Sequence, residues 1–370
     1  MIPVQRPYLG EEELRAVGEV FDSRWLTMGS ITQEFESQLS EFLGAKHVIA
    51  VNTGTSALHI ALDALGIGKG DEVVVPSLTY VATIQAIVAT GARPVFCDVD
   101  IQTLNSRASD INSRLTPRTR AVMPVHYGGL PCEMDEIMAI ARRHGVWVVE
   151  DAAHAFGSKY KGQLVGNLGH VTCFSFDHVK NITCGDGGAV VTNIDELAAS
   201  VSSKRILGIS NETSFRYRGE RNWHFEVVTQ GYRYHMTNIS AAIGLQQLKR
   251  LEEFKTWKQE IVRLYDEAFC EIDGIELLER NLPESFPFCY VIRVTEGKRD
   301  ALMSFLKARG VGSGVHYIPN HLQPFFRPFK VPLPVTEQVF TEIITLPLYY
   351  DMNEDDINEV ISAVHSFFGG

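Results

Sequence analysis

Across its first 200 residues the chain alternates short apolar runs with amphipathic stretches, and this rhythm narrows the fold more than any other feature. Glu11 to Phe21 places Leu14, Val17, Val20 and Phe21 at helical spacing, and Phe35, Leu39, Phe42 and Leu43 repeat the pattern. His47 to Val51 then reads as a short buried strand, followed at once by a helix carrying Leu58, Ile60, Ala61 and Leu65. Strand-like runs recur at Glu72–Val75, Pro94–Cys97, Ala121–Val125 and Val146–Val149, with a helix at Met134–Arg143. Such alternation predicts an α/β fold, a mostly parallel sheet covered by helices on both faces. Sheets of this kind bind ligands at the carboxyl ends of their strands, so chemistry is sought there.

Further along, Val171–Phe176 and Ala189–Thr192 read as two strands joined through Gly185-Asp186-Gly187-Gly188, a tight-turn composition. Asn238 to about Ile272 reads as one long connecting helical stretch. After it come a strand at Cys289–Val294, a helix at Arg299–Ala308, a strand near Gly314–Tyr317 and closing helices near Glu337–Ile343 and Asp355–Phe367. With 370 residues, the chain is expected to form a large domain over 1–245 and a smaller C-terminal α/β domain over 246–370. A formal net charge of -11 argues against a nucleic-acid binder. No run approaches the ~18 apolar residues of a membrane span, and with no long apolar run behind Met1-Ile2-Pro3-Val4-Gln5-Arg6 no secretory signal is expected. Cys97, Cys132, Cys173, Cys184, Cys270 and Cys289 form no C-x-x-C pair, so buried reduced thiols are expected and no metal site is.

Three strand ends carry chemistry. Asn52-Thr53-Gly54-Thr55-Ser56 follows a strand and opens a helix, which fits either an ordinary N-cap or a site for one phosphate. Glu150-Asp151 closes a buried strand, where a carboxylate needs a partner. The partner is either a helix N-terminus or a protonated ring nitrogen such as that of pyridoxal phosphate (PLP), which is then an electron sink. Lys180 follows a buried strand and precedes the glycine-rich turn. It reads either as a solvated surface lysine or as a desolvated amine that forms a Schiff base with an aldehyde. Phosphate turn, carboxylate and lysine, in that order along one sheet, form the constellation that a PLP site requires.

Longer motifs extend this reading. Glu150-Asp151-Ala152-Ala153-His154-Ala155, Phe174-Ser175-Phe176 through Lys180-Asn181-Ile182-Thr183, and Gly185-Asp186-Gly187-Gly188-Ala189-Val190-Val191-Thr192 resemble the DegT/StrS family of sugar aminotransferases. Gly231 to Gly244 resembles that family's next hallmark, and the resemblance runs from Pro7 to the last helix. It implies the aspartate-aminotransferase-like fold (PLP fold type I). Lys180 is then the Schiff-base lysine and Asp151 the partner of the pyridinium nitrogen. Gly54, Thr55, Ser56 and Ser175 hold the phosphate, Tyr80 stacks on the ring, and His154 lies beside it. Arg233 stands where members usually carry an Asn offered to a neighbouring chain's phosphate, so its role is left open between cofactor, substrate and surface.

Within the family, Arg6-Pro7-Tyr8-Leu9-Gly10-Glu11-Glu12-Glu13 with Trp25-Leu26-Thr27-Met28-Gly29 is similar to enzymes acting on 4-keto sugars such as perosamine synthases, His316-Tyr317-Ile318-Pro319-Asn320-His321 is also typical of them, and His154 resembles the residue of 4-amino-4-deoxy-arabinose synthases. By that likeness Trp25, His316, Tyr317 and His321 lie near the substrate, although each His fits equally well as a hydrogen-bonded structural residue. The implied reaction moves an amino group from L-glutamate to a nucleotide-linked 4-keto-6-deoxy sugar. It gives 2-oxoglutarate and passes through pyridoxamine phosphate, in a cytoplasmic homodimer serving polysaccharide such as O-antigen. Another keto sugar, a keto-cyclitol and a non-catalytic PLP-binding regulator are the alternatives. A related sugar 3-dehydratase is disfavoured, because it carries His where Lys180 stands.

Overall fold

The computed structural model describes residues 1–209 and 225–369. Its main sheet uses β1 (His47–Val51), β2 (Glu72–Pro76), β3 (Arg93–Cys97), β4 (Thr119–Val122) and β5 (Trp147–Asp151). A small hairpin, β6 (Lys159–Tyr160) and β7 (Gln163–Leu164), leads to the last two members, β8 (Val171–Ser175) and β9 (Gly188–Thr192). The order across the sheet is β1-β9-β8-β5-β4-β2-β3. Only β9 runs against its neighbours; β8, β5, β4, β2 and β3 pair in parallel.

Every residue of β2, β8 and β9 is buried, because both faces are covered and apolar side chains are needed on each. Val73 and Val75 point to one face, beneath the helices Gly54–Ala64, Val81–Ala89 and Asp195–Lys204. Val74, one residue out of phase, packs with Ile137 and Ala141 of Met134–His144 on the other. Near β1 and β9 that second face is covered by Ser30–Leu43 and Asn238–Lys249.

A second sheet, β10 (Ile275–Leu277), β11 (Tyr290–Val294) and β12 (Ile343–Leu346), is antiparallel. The helices Leu251–Phe269, Arg299–Ala308 and Glu354–Phe368 cover it, with Tyr265, Phe269, Ile292 and Ile344 in its core.

Several expectations shift. The stretch from Asn238 is two helices, Asn238–Lys249 and Leu251–Phe269, parted at Arg250. Neither Gly nor Pro marks the joint; Leu251 is buried in the large sheet's core, and the second helix leaves for the small sheet. Gly314–Tyr317 is no strand: Gly314 bridges Thr345, and the chain then turns towards the cleft between the sheets. The third strand is instead Ile343–Leu346, whose apolar run merges in sequence with the preceding helix, Pro334–Glu342. β4 ends at Val122, short of the expected Val125.

The chain also crosses the 245/246 division. Ile2 and Val4 hydrogen-bond to Gly310, Gly312 and Leu348 of the small module, while Phe326 and Leu333 pack into the large core. Cys270 is exposed on a helix end, unlike the five buried thiols.

Candidate active site

The carboxyl ends of β1, β5 and β8 open into one cavity of about 400 Å³, closed on its far side by Phe288, His316 and Tyr317. At the end of β1, Thr53 caps the helix Gly54–Ala64 and its Oγ1 accepts from the Ser56 N–H at 3.0 Å. Ser56 Oγ donates to Asn52 Oδ1 at 2.7 Å. Ser56 is thus bound up inside the turn and does not line the cavity, which corrects its expected place among phosphate ligands. The N–H groups of Gly54 and Thr55 lie before the helix's own hydrogen-bond ladder begins and are available to an anion.

Close backbone approach makes this cradle. A Cβ on Gly54 would lie 2.7 Å from Ser175 Cβ and 3.2 Å from Ser175 Cα. One on Gly188 would lie 2.5 Å from Thr53 O. Glycine at both positions lets the turn after β1 meet the end of β8 and the start of β9. Ser175 is thereby brought beside Gly54 and Thr55.

Asp151, the last residue of β5, is 4 % exposed. Its Oδ2 accepts from Thr83 Oγ1 at 2.7 Å and its Oδ1 from the Ala153 N–H at 3.1 Å. Burial raises its pKa; Thr83, the Ala153 N–H and the charge of Lys180 oppose the rise. A buried carboxylate held, among the described residues, by two neutral donors is set to receive a cation from the cavity. Glu150, its neighbour, serves another purpose. It is fully buried and accepts from Gly169 N–H, Thr172 Oγ1 and His126 Nε2. Because His126 Nδ1 accepts from the Cys132 N–H, its other nitrogen carries the proton given to Glu150.

Lys180 follows β8 and its Nζ lies 4.2 Å from the centroid of the Phe288 ring. Burial lowers its pKa, against the charges of Asp151 and Asp177. More free amine is therefore present near neutral pH than on a surface lysine. His154 stacks on Phe288 at 4.1 Å and shares a 2.9 Å hydrogen bond with Tyr317 OH through Nε2. Burial, then the charges of Lys180 and His316, hold its pKa well below the usual histidine range. Its Nδ1 is buried and has no partner among the described residues. Tyr80 lines the cavity with its ring 5.6 Å from that of Tyr317. His316 Nδ1 bonds to Thr345 Oγ1 at 2.8 Å, and burial beside Lys180 pushes its pKa down to about 4.

Gly54, Thr55, Tyr80, Asp151, His154, Ser175, Lys180, His316 and Tyr317 thus meet at one cavity. Four predicted residues do not: Ser56, bound within its own turn, and the three that follow. His321 is 0 % exposed: Ser77 Oγ donates to its Nδ1 at 2.7 Å, and its Nε2 faces Glu337 Oε1 at 3.3 Å. It fastens the segment after Tyr317 to the end of β2. Trp25 donates through Nε1 to Met28 O at 2.9 Å, at the end of the first helix. Arg233 is exposed, on a segment bridged to Ile206.

Sequence reasoning missed Thr83 and Phe288. The first sits inside a helix and the second beside a strand, and both resemble ordinary core residues.

The residues present fit PLP. Gly54, Thr55 and Ser175 offer donors for a phosphate, Asp151 an acceptor for a ring N–H, and Lys180 an amine for an aldehyde. His154 Nδ1, without a partner among the described residues, is a hydrogen-bonding atom that a polar group of the ring would satisfy.

Comparisons with known proteins point to the same cofactor. Residues 7–365 match the DegT/DnrJ/EryC1/StrS aminotransferase family. The spore coat polysaccharide biosynthesis protein SpsC of Bacillus subtilis is 39% identical over 379 residues, covering 100% of this chain and 97% of that protein. The crystal structure of the aminotransferase TlmJ from Streptoalloteichus hindustanus superposes with a TM-score of 0.92 at 38% identity, over 99% of this chain and 98% of that one. The sugar aminotransferase Spr1654 from Streptococcus pneumoniae, described as putative and solved in its PMP form, gives a TM-score of 0.93 at 28% identity, over 100% and 99%.

Proposed function

Because this chain belongs to the DegT/DnrJ/EryC1/StrS family and is a PLP-dependent sugar aminotransferase, we propose that it aminates C4 of a nucleotide-linked 4-keto-6-deoxy sugar with L-glutamate as donor. The observation that carries the site assignment is the single cavity shared by Lys180, Asp151, Ser175 and the Gly54-Thr55 turn.

PLP bound there supplies an aldehyde that captures amino groups and a protonated ring that accepts electrons. The chain's own groups do the rest. Gly54, Thr55 and Ser175 would hold the phosphate. Asp151, kept in place by Thr83, would keep the ring nitrogen protonated. Tyr80 and His154 would contact the ring. Lys180 would hold the cofactor through its Nζ and, as a free amine, would carry a proton to and from the carbons beside the amino nitrogen being transferred, in one direction with the donor and in the other with the keto sugar. His316 and Tyr317, at the far wall of the cavity, face the sugar.

A cytoplasmic homodimer completes the reading: free thiols suit a reducing compartment. Trp25 and Arg233, which miss the cavity of their own chain, would serve that of a second copy. The name of the B. subtilis relative supports a place in polysaccharide biosynthesis, of which O-antigen is one instance.

The deciding experiment incubates purified protein with L-glutamate and a panel of 4-keto sugars on dTDP, GDP and UDP. Loss of the ketone, 2-oxoglutarate release and the mass of a 4-amino product support the reading. Turnover only of a 3-keto sugar or a keto-cyclitol overturns the substrate. Borohydride treatment that fixes PLP on a lysine other than Lys180 overturns the site.

A further inference from the structure

Behind Lys180, a second lysine is enclosed. Lys258, on the helix Leu251–Phe269, is 5 % exposed, although lysine is rarely buried without an ionic partner. Its Nζ donates to Asn181 Oδ1 at 3.1 Å and Phe288 O at 3.5 Å, and lies 5.3 Å from the Phe286 ring. Both acceptors touch Lys180. Asn181 follows it in the chain, and the Phe288 ring lies beneath its Nζ at 4.2 Å.

The joint reaches further. Asn181 Nδ2 donates to Phe156 O at 3.3 Å and Phe286 O at 3.1 Å, and Gln5 Nε2 donates to Phe288 O at 3.0 Å. Lys258 thus stands where the connecting helix, the lysine loop and the entry to β11 meet.

We infer that Lys258 is a positioning residue: by pinning Asn181 and Phe288 it holds the Lys180 amine against the Phe288 ring and away from water. The inference rests on the reading of Lys180 as the lysine that bonds PLP. An apolar side chain at 258 would fill the space but leave Asn181 Oδ1 without this donor. Burial pushes Lys258 itself down to about 7, helped by the charge of Lys180 and opposed by Cys289. Arg6, Tyr8, Tyr349 and Tyr350 line the small cavity beside it.

The test uses the full chain freed of cofactor. Trace acetic anhydride labels its amines across a pH series, and mass spectrometry follows the Lys180 peptide. In Lys258→Met and Lys258→Gln the midpoint of Lys180 labelling should rise by roughly one pH unit, as its surroundings become wetter. Asn181→Leu, which cuts the same joint without touching Lys258, should move it the same way. An unchanged midpoint in any of these variants that keeps the parent's near-ultraviolet circular dichroism overturns the inference. Borohydride fixation of PLP in the parent is read separately: an adduct away from Lys180 sinks the underlying assignment and leaves the labelling result standing.

Discussion

Thr83 Oγ1 donates to Asp151 Oδ2 at 2.7 Å, from the first turn of a helix to the end of β5. The bond does two things: it orients the carboxylate and favours its charged form. Thr83→Val keeps the shape and removes the donor. Asp151, already pushed up by burial, should then titrate higher. PLP should bind about tenfold more weakly, the worth of one hydrogen bond to a charged group. Titration of the cofactor by absorbance measures this, and unchanged affinity would refute Thr83 as a support of the site.

Lys180→Ala separates binding from chemistry. The phosphate cradle and Asp151 are untouched, so PLP should still bind. The visible absorbance of the lysine-bound form should vanish, and turnover should fall by about 10³-fold or more, within the range of a lost general base. Equilibrium dialysis, spectra and steady-state kinetics together check it. Full turnover would remove Lys180 from the mechanism.

His321→Ala tests a structural assignment against a substrate one. Its ring bonds to Ser77 and faces Glu337, with no contact to the cavity. Stability should fall by about 1–3 kcal/mol from the buried partners left unpaired. The KM for sugar should stay within about twofold of the parent, since no substrate contact is lost. A large KM rise at unchanged melting temperature would return His321 to the substrate site.

How much of this was legible in sequence follows from chemistry at strand ends. Buried strands covered on both faces need apolar side chains on each, so β2, β8 and β9 stand out as largely apolar runs. Gly54 past β1, Asp151 at the end of β5 and Lys180 past β8 stand out in turn. Asp151 and Lys180 come from elements adjacent in the sheet, so order along the chain already implied proximity. Phe288 and Thr83 were hidden because their partners are tertiary and their types are common in cores. Lys258 reads as one more lysine in an amphipathic helix. His321 finds Ser77 across 244 positions, a distance over which no periodicity carries information. The joint at Arg250 was hidden too, because packing of Leu251 and not a breaker residue makes it.

His316 gives the chain an acid-sensitive component. Burial and the nearby Lys180 hold its folded pKa at about 4, against about 6.5 when unfolded. Between these values the unfolded chain binds more protons than the folded one. Stability from this residue is therefore fully present above about pH 6.5 and is lost as pH falls towards 4. The slope is at most about 1.4 kcal/mol per pH unit, that of a single proton. His316→Gln retains a polar end near Thr345 and removes the titration. Urea unfolding of parent and variant at a series of pH values across this window should show the parent losing stability more steeply. The two curves should run parallel above about pH 6.5, where both side chains are neutral. Equal slopes below it would mean that His316 is not held uncharged by the fold.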